Sequence, residues 1–173
     1  MSVLTSNGQM IHLFSRWYKA IRQQHLQKVH TLKQDIDGQL YLIKNDEVQL
    51  IYYYLLNVRY YLLTDQLNEA EKVMNHLEKT YKPGRKAIDY YYYFFKGLLF
   101  SYRRNYAEAK KYYLTAESLL MYVDDELEKA EFHYSLANLY YYIRQSLLAV
   151  HYALKAKEVF VKHDDYQLKV AGC

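Results

Sequence analysis

Among 173 residues there is one proline, one cysteine and five glycines. With so few of the strong breakers the chain has few places to turn, so long helices are expected. The lone cysteine, Cys173, is the last residue and has no partner for an internal bridge, which excludes a disulfide framework. No apolar run near the N-terminus has the length of a signal peptide, and no stretch of about 18 apolar residues suggests a membrane span. The nearest approach, residues 50–63, is broken by Asn57 and Arg59. A cytoplasmic chain without membrane association is expected. Catalytic motifs are equally scarce. There is no glycine-rich phosphate loop, no nucleophile elbow and no HExxH, and the seven histidines include no i,i+4 pair. A metal site or a cofactor of the protein's own is therefore not expected.

What the chain does have is apolar content, at 51% hydrophobic residues, and tyrosine, at 23 residues. The apolar content is enough for a real core in one domain or two small ones. The tyrosines cluster at Tyr52 to Tyr54, Tyr90 to Tyr93 and Tyr140 to Tyr142. Consecutive helical residues point in different directions, so each cluster must divide between core and surface. Rings on the surface suit protein recognition, and filling a helical core is the competing reading. The formal net charge of +4 comes as scattered pairs such as Arg103-Arg104 and Lys110-Lys111. Nucleic acid would require a concentrated basic face, so it is not an expected partner.

A two-helix unit beginning near Tyr90 recurs forty residues later. Ala109 corresponds to Ala149, Ala116 to Ala156, Tyr102 to Tyr142 and Tyr112 to Tyr152. Antiparallel helices approach closely only where a small side chain faces a large one, and Gly97, Ala109 and Ala116 fit the small positions of a tetratricopeptide repeat, with Tyr113 at a large one. The second copy fits less well, because Ala153 stands where an aromatic is usual. Such arrays work mainly by binding other macromolecules.

Upstream, periodicity and caps predict helices over about 6–24 and 26–43, a third that opens at Asn45-Asp46 and runs through Leu62, and a short fourth over 67–81. Ser6 with Gln9, and Asp46 with Gln49, read as capping boxes. The first helix carries Ile11, Phe14, Trp17, Tyr18 and Ile21 on its apolar face, and the third carries Ile51, Leu55, Val58 and Leu62 inward. Pro83-Gly84 is the one strong break. The expected architecture is all-α: a three-helix bundle over 1–66, a linker helix and turn over 67–86, and about two tetratricopeptide-like hairpins over 87–173.

Four stretches carry a family resemblance: WYKAIR at Trp17 to Arg22, LIYYYL at Leu50 to Leu55, YYYFFKG at Tyr91 to Gly97, and DDELEKAEFH at Asp124 to His133 followed by Leu139 to Tyr142. In order and spacing they resemble the Rap family of response-regulator aspartate phosphatases, over nearly the whole chain. The resemblance implies a helical bundle joined to tetratricopeptide repeats. It also implies a protein that strips phosphate from a receiver, or sequesters the DNA-binding domain of a regulator, under inhibition by a short secreted peptide. Receiver contacts are implied at Glu47, Leu50, Tyr54 and Val58 and at Asp124 and Asp125. Helix capping is the competing role of the two aspartates, and Leu50 is equally suited to a core.

Two departures shape the functional expectation. Phosphatase members of the family have a water-orienting glutamine five residues before the first tyrosine of the I-Y-Y motif, and here that position is Glu47. An amide can accept from water and donate to a phosphoryl oxygen together, as the water-positioning glutamine of GTPases does, whereas a carboxylate only accepts and its charge opposes an anionic transition state. An acidic residue in the first turn of a helix is also favoured by the helix dipole, which gives Glu47 a plain structural role. The family further implies repeats beyond those present here, so regulatory peptide binding is expected to be lost. An open apolar end with Val159, Phe160 and either Leu168 or Val170 exposed is expected to dimerise or aggregate. The reading that follows is a truncated Rap-like regulator that binds a response regulator and dampens two-component signalling, with phosphatase activity weakened at Glu47. An active aspartyl-phosphate phosphatase and a remnant without function are the alternatives.

Overall fold

The computed structural model describes residues 2–173, with side chains from Gly8 onward. Its helices are α1 (Ser2–Arg22), α2 (Leu26–Gln39), α3 (Glu47–Leu63), α4 (Leu67–Thr80), α5 (Lys86–Tyr102), α6 (Tyr106–Leu119), α7 (Glu126–Tyr142), α8 (Ser146–Phe160) and α9 (Gln167–Gly172). Among the described residues there is no strand, and the chain is all-α. Single 3₁₀ turns follow α2 and α6 and precede α9. The chain divides between Lys82 and Pro83 into two compact units.

In the first unit, Met10, Phe14, Trp17 and Ile21 form the buried face of α1. Ile11, expected on that face, is 54% exposed, because one step along a helix turns a side chain about 100° away from its neighbour. Backbone helix already runs from Ser2, so Ser6 is not a cap, and its side chain lies outside the described residues. Trp17 and Phe14 meet Tyr53 of α3 with ring centroids 6.5 and 6.3 Å apart, while Val29, Leu32 and Ile36 are the buried residues of α2. Helix α4 is part of this unit and packs on α3, burying Ala70, Met74 and Leu77.

The second unit is built on a ring cluster. Phe94 of α5, Tyr113 of α6 and Phe132 of α7 lie 5.2 to 6.1 Å apart by centroids, and Tyr90 joins Phe132 at 5.9 Å. The small residues of the repeat serve close approach as expected: Ala109, Ala116 and Ala156 are fully buried, and Gly97 lies under the Tyr113 ring. The turn before α5 is tied down by Asp89, whose two carboxylate oxygens each accept from the Gly84 N–H at 3.0 Å.

All four helical hairpins turn by the same device, and none of the turns uses glycine. Gln24, Asp65, Arg104 and Arg144 sit in the left-handed region, with φ between 57° and 63°. The residue after each donates its N–H five residues back: His25 to Ala20, Gln66 to Tyr61, Asn105 to Phe100 and Gln145 to Tyr140. That is the Schellman closure of a helix C-terminus, here made by residues that carry a Cβ. Glycine scarcity therefore did not limit the number of turns, and the helices are shorter than that scarcity alone implied.

The expected open apolar end is also closed. Phe160 is fully buried, because the chain folds back after α8 and stacks Tyr166 on it at 5.3 Å with the ring planes 5° apart. Helix α9 then pins itself to α7 through a buried ion pair, Lys169 Nζ to Glu131 Oε1 at 2.6 Å, and the ammonium also sits 5.0 Å from the centre of the Tyr134 ring. Val159 and Val170 pack against this cluster, and of the four candidates for exposure only Leu168 is exposed, at 74%.

Candidate functional site

The start of α3 is fixed by its cap. Asp46 is the N-cap and its Oδ1 accepts from the Gln49 N–H at 3.0 Å. The Gln49 side chain does not complete a capping box, since the Asp46 N–H is bonded to Ile43 instead. Gln49 Nε2 donates to Asp46 Oδ2 at 3.0 Å, and this turns the side chain inward until Gln49 is 7% exposed. Glu47, the next residue after the cap, stays exposed in the first turn, where the unsatisfied N–H groups favour a negative charge by about 0.3–1 kcal/mol. Two residues apart on one helix, the exposed carboxylate and the buried amide face opposite ways, so Gln49 does not replace Glu47 as a polar group presented to solvent.

Leu50 and Tyr54 continue the stripe that Glu47 begins, and both are half-buried. The Tyr54 ring is held edge-on by His76 of α4, with centroids 4.8 Å apart. Val58, the next residue of the same stripe, is fully buried and contributes packing instead of contact surface. The stripe is thus graded: charge at the cap, amphipathic side chains in the middle, core at the far end. In the second unit Asp125 is the N-cap of α7, its Oδ1 accepting from the N–H groups of Leu127 at 2.9 Å and Glu128 at 3.2 Å, while Asp124 before it is exposed. The capping role of Asp125 is real, which leaves Asp124 as the aspartate with its carboxylate in solvent.

Behind α3 lies a polar cluster that pattern reading did not single out. Lys33 of α2 bonds both oxygens of Asp37, at 2.7 and 2.5 Å, and its ammonium lies 5.5 to 5.9 Å from the centres of the Trp17, Tyr53 and Tyr60 rings. The Tyr53 hydroxyl donates to Asp37 at 2.8 Å, and burial together with that carboxylate pushes its pKa well above the ordinary phenol value. The Lys33/Asp37 spacing of four was visible in sequence, but nothing there showed that three rings would enclose the lysine. The cluster fixes the middle tyrosine of Tyr52-Tyr53-Tyr54 inward, so Tyr52 and Tyr54 diverge on either side. Among the described residues no group of three or more His, Cys, Asp or Glu side chains is placed to hold a metal ion.

The sequence model for the N-terminal part of response regulator aspartate phosphatase H matches residues 5–65, the stretch from α1 to the end of α3. Response regulator aspartate phosphatase H of Bacillus subtilis (strain 168) is 32% identical over 164 residues, which cover 90% of this chain and 44% of that protein. The crystal structure of the apo form of RapI superposes with a TM-score of 0.82 at 28% identity, over 95% of this chain and 48% of that one. The chain belongs to the Rap family. A Rap protein complexed with Competence and Sporulation Factor superposes as well, with a TM-score of 0.81 at 28% identity, over 95% of this chain and 48% of that one. This Rap chain spans less than half the length of the relatives it matches. The Rap N-terminal match takes in Glu47, Leu50, Tyr54 and Val58 and ends before Asp124 and Asp125.

Proposed function

We propose that this chain docks a response regulator through the first half of α3 and dampens its signalling with little hydrolysis of the receiver's aspartyl phosphate. The observation that carries the reading is the exposure of Glu47 at the capped start of α3, within the stretch matched to the Rap N-terminal model. A carboxylate there can accept a proton from water, but it cannot donate to a phosphoryl oxygen, and its charge repels the anionic group it would have to approach. Leu50 and Tyr54 supply the apolar and amphipathic surface beside it, which suits a protein partner. The reading requires that the chain share the cytoplasm with its receiver.

The test is the half-life of a phosphorylated receiver with and without the chain. Binding with an unchanged half-life supports the proposal. Glu47→Gln restores an amide able to do both halves of the hydrogen bonding and should shorten the half-life by tenfold or more, a loss of barrier of about 1.4 kcal/mol or greater. If the native chain strongly accelerates hydrolysis, the chain is an active phosphatase and the argument from Glu47 fails.

A further inference from the structure

Helix α8 presents two opposed apolar faces. One is covered: Tyr152 stacks on Tyr140 of α7 at 5.6 Å, Ala156 is fully buried, and Phe160 lies between Tyr134 and Tyr166. The other is bare. Leu147, Val150, Leu154 and Val161 are 89%, 57%, 57% and 50% exposed. At 3.6 residues per turn these four fall within an arc of about 60°, centred roughly 150° around the helix from Ala156. The stripe is about 21 Å long. The ring contacts that α8 makes with Tyr140, Tyr134 and Tyr166 all belong to the first face. A soluble helix that keeps four branched aliphatic side chains in water along one line marks an interaction surface.

The order of side chains along the stripe identifies the occupant. Leu147 and Val161 stand seven residues before and after Leu154, the spacing of one position in a heptad. Two copies of α8 crossing antiparallel over Leu154 set Leu147 of one against Val161 of the other, twice, with the two Leu154 side chains at the centre. One edge of the stripe carries His151 and Glu158, both exposed, three residues before and four after the centre. In an antiparallel helix pair the same edges face each other, so the imidazole of each copy meets the carboxylate of the other. On the opposite edge the same pairing sets Lys157 of each copy beside Val150 of the other. Each interaction is thus made twice by a two-fold axis, as a closed, isologous contact requires.

We propose that this face is where two copies of the chain associate, in an antiparallel α8 contact centred on Leu154. A single helix pair of this length buries less than the roughly 1,200–2,000 Å² of standard stable interfaces, so the dimer is weak and depends on concentration. Sedimentation velocity on the 173-residue chain in reductant, over a hundredfold range of concentration, tests it. The weight-average mass should climb toward twice the monomer. Leu154→Glu should hold it at the monomer while leaving the circular dichroism spectrum and melting curve unchanged. His151→Glu places like charges opposite each other at both ends and should weaken association roughly fivefold, and adding Glu158→Lys to it should restore the original constant. That rescue is not expected of residues that only support the helix. A chain that stays monomeric throughout, a dimer indifferent to both Leu154→Glu and His151→Glu, or a monomer whose stripe instead binds anionic lipid vesicles would each overturn the proposal.

Discussion

Gly97→Ala is the sharpest test of how the second unit is packed. In most helices the change is favourable, because alanine forms helix better than glycine by about 0.8–1 kcal/mol. Gly97 is different because a Cβ built on it falls 2.6 Å from Tyr113 Cε1, closer still to Cδ1, and 3.3 Å from Cγ. The ring has nowhere to go. Tyr113 is 1% exposed, it faces Phe94 and Phe132 at 6.0 and 6.1 Å by centroids, and its hydroxyl is 3.3 Å from Ser101 Oγ. Restoring ordinary contact requires the ring or the helix to shift by nearly an ångström, and overpacking of that kind costs about 1–3 kcal/mol, occasionally more. Setting the upper part of that range against the gain in propensity leaves a net destabilisation of about 2 kcal/mol. Urea unfolding followed by circular dichroism, with hydrogen exchange on residues of α5 and α6, measures it. Fluorescence of Trp17 does not, since the only tryptophan lies in the first unit. Gly97→Ala combined with Tyr113→Phe should remain destabilised, because the clash is with ring carbons and not with the hydroxyl. Gly38→Ala, where a Cβ meets nothing within 4 Å, is the control and should not destabilise. A neutral or stabilising Gly97→Ala would refute the close approach of α5 and α6.

Two further outcomes follow from buried charge. Lys169→Met removes the ammonium paired with the buried Glu131 carboxylate, 3% exposed, and should release α9 at a cost of about 3–5 kcal/mol, seen as fast hydrogen exchange over 167–172; Glu131→Gln with Lys169→Met should recover most of it. The His133 imidazole has its pKa lowered to about 4 by burial, with Lys155 and His151 adding to the effect. The unfolded chain therefore takes up this proton near the ordinary value of about 6.5, before the folded one does. Stability should fall as pH drops from about 6.5 to about 4, be flat with respect to this group above that window, and lose that slope in His133→Gln, as read by denaturant midpoints across the window.

The helices were legible because each signal is local. Trp17, Phe14 and Ile21 recur at helical spacing, Asp46 and Asp125 precede apolar runs, and the forty-residue register of Ala109 and Ala149 survives in a single chain. What escaped depends on partners far apart in sequence or on backbone energetics. Arg104 and Arg144 gave no sign of adopting left-handed φ, since glycine is the residue that advertises such a turn. Phe160 looked exposed because its cover, Tyr166, is supplied by a turn too short to have a period of its own. Lys169 reads as a surface lysine until Glu131, thirty-eight residues away, is placed beneath it. At the candidate site the cap and the exposed Glu47 followed from sequence. The burial of Val58 followed as well, from its place on the inward face with Ile51, Leu55 and Leu62; the inward turn of Gln49 did not, because it depends on the bond its side chain makes back to Asp46.

Direct titration of receiver domains and, separately, DNA-binding domains of response regulators against the 173-residue chain is the decisive test of docking through α3. A receiver is expected to bind, Leu50→Arg or Tyr54→Ala to weaken binding by tenfold or more without lowering the melting temperature of the chain by more than a few degrees, and Glu47→Gln to bind as well as the native sequence. Binding to no receiver, or binding that ignores substitutions at Leu50 and Tyr54, would contradict that docking.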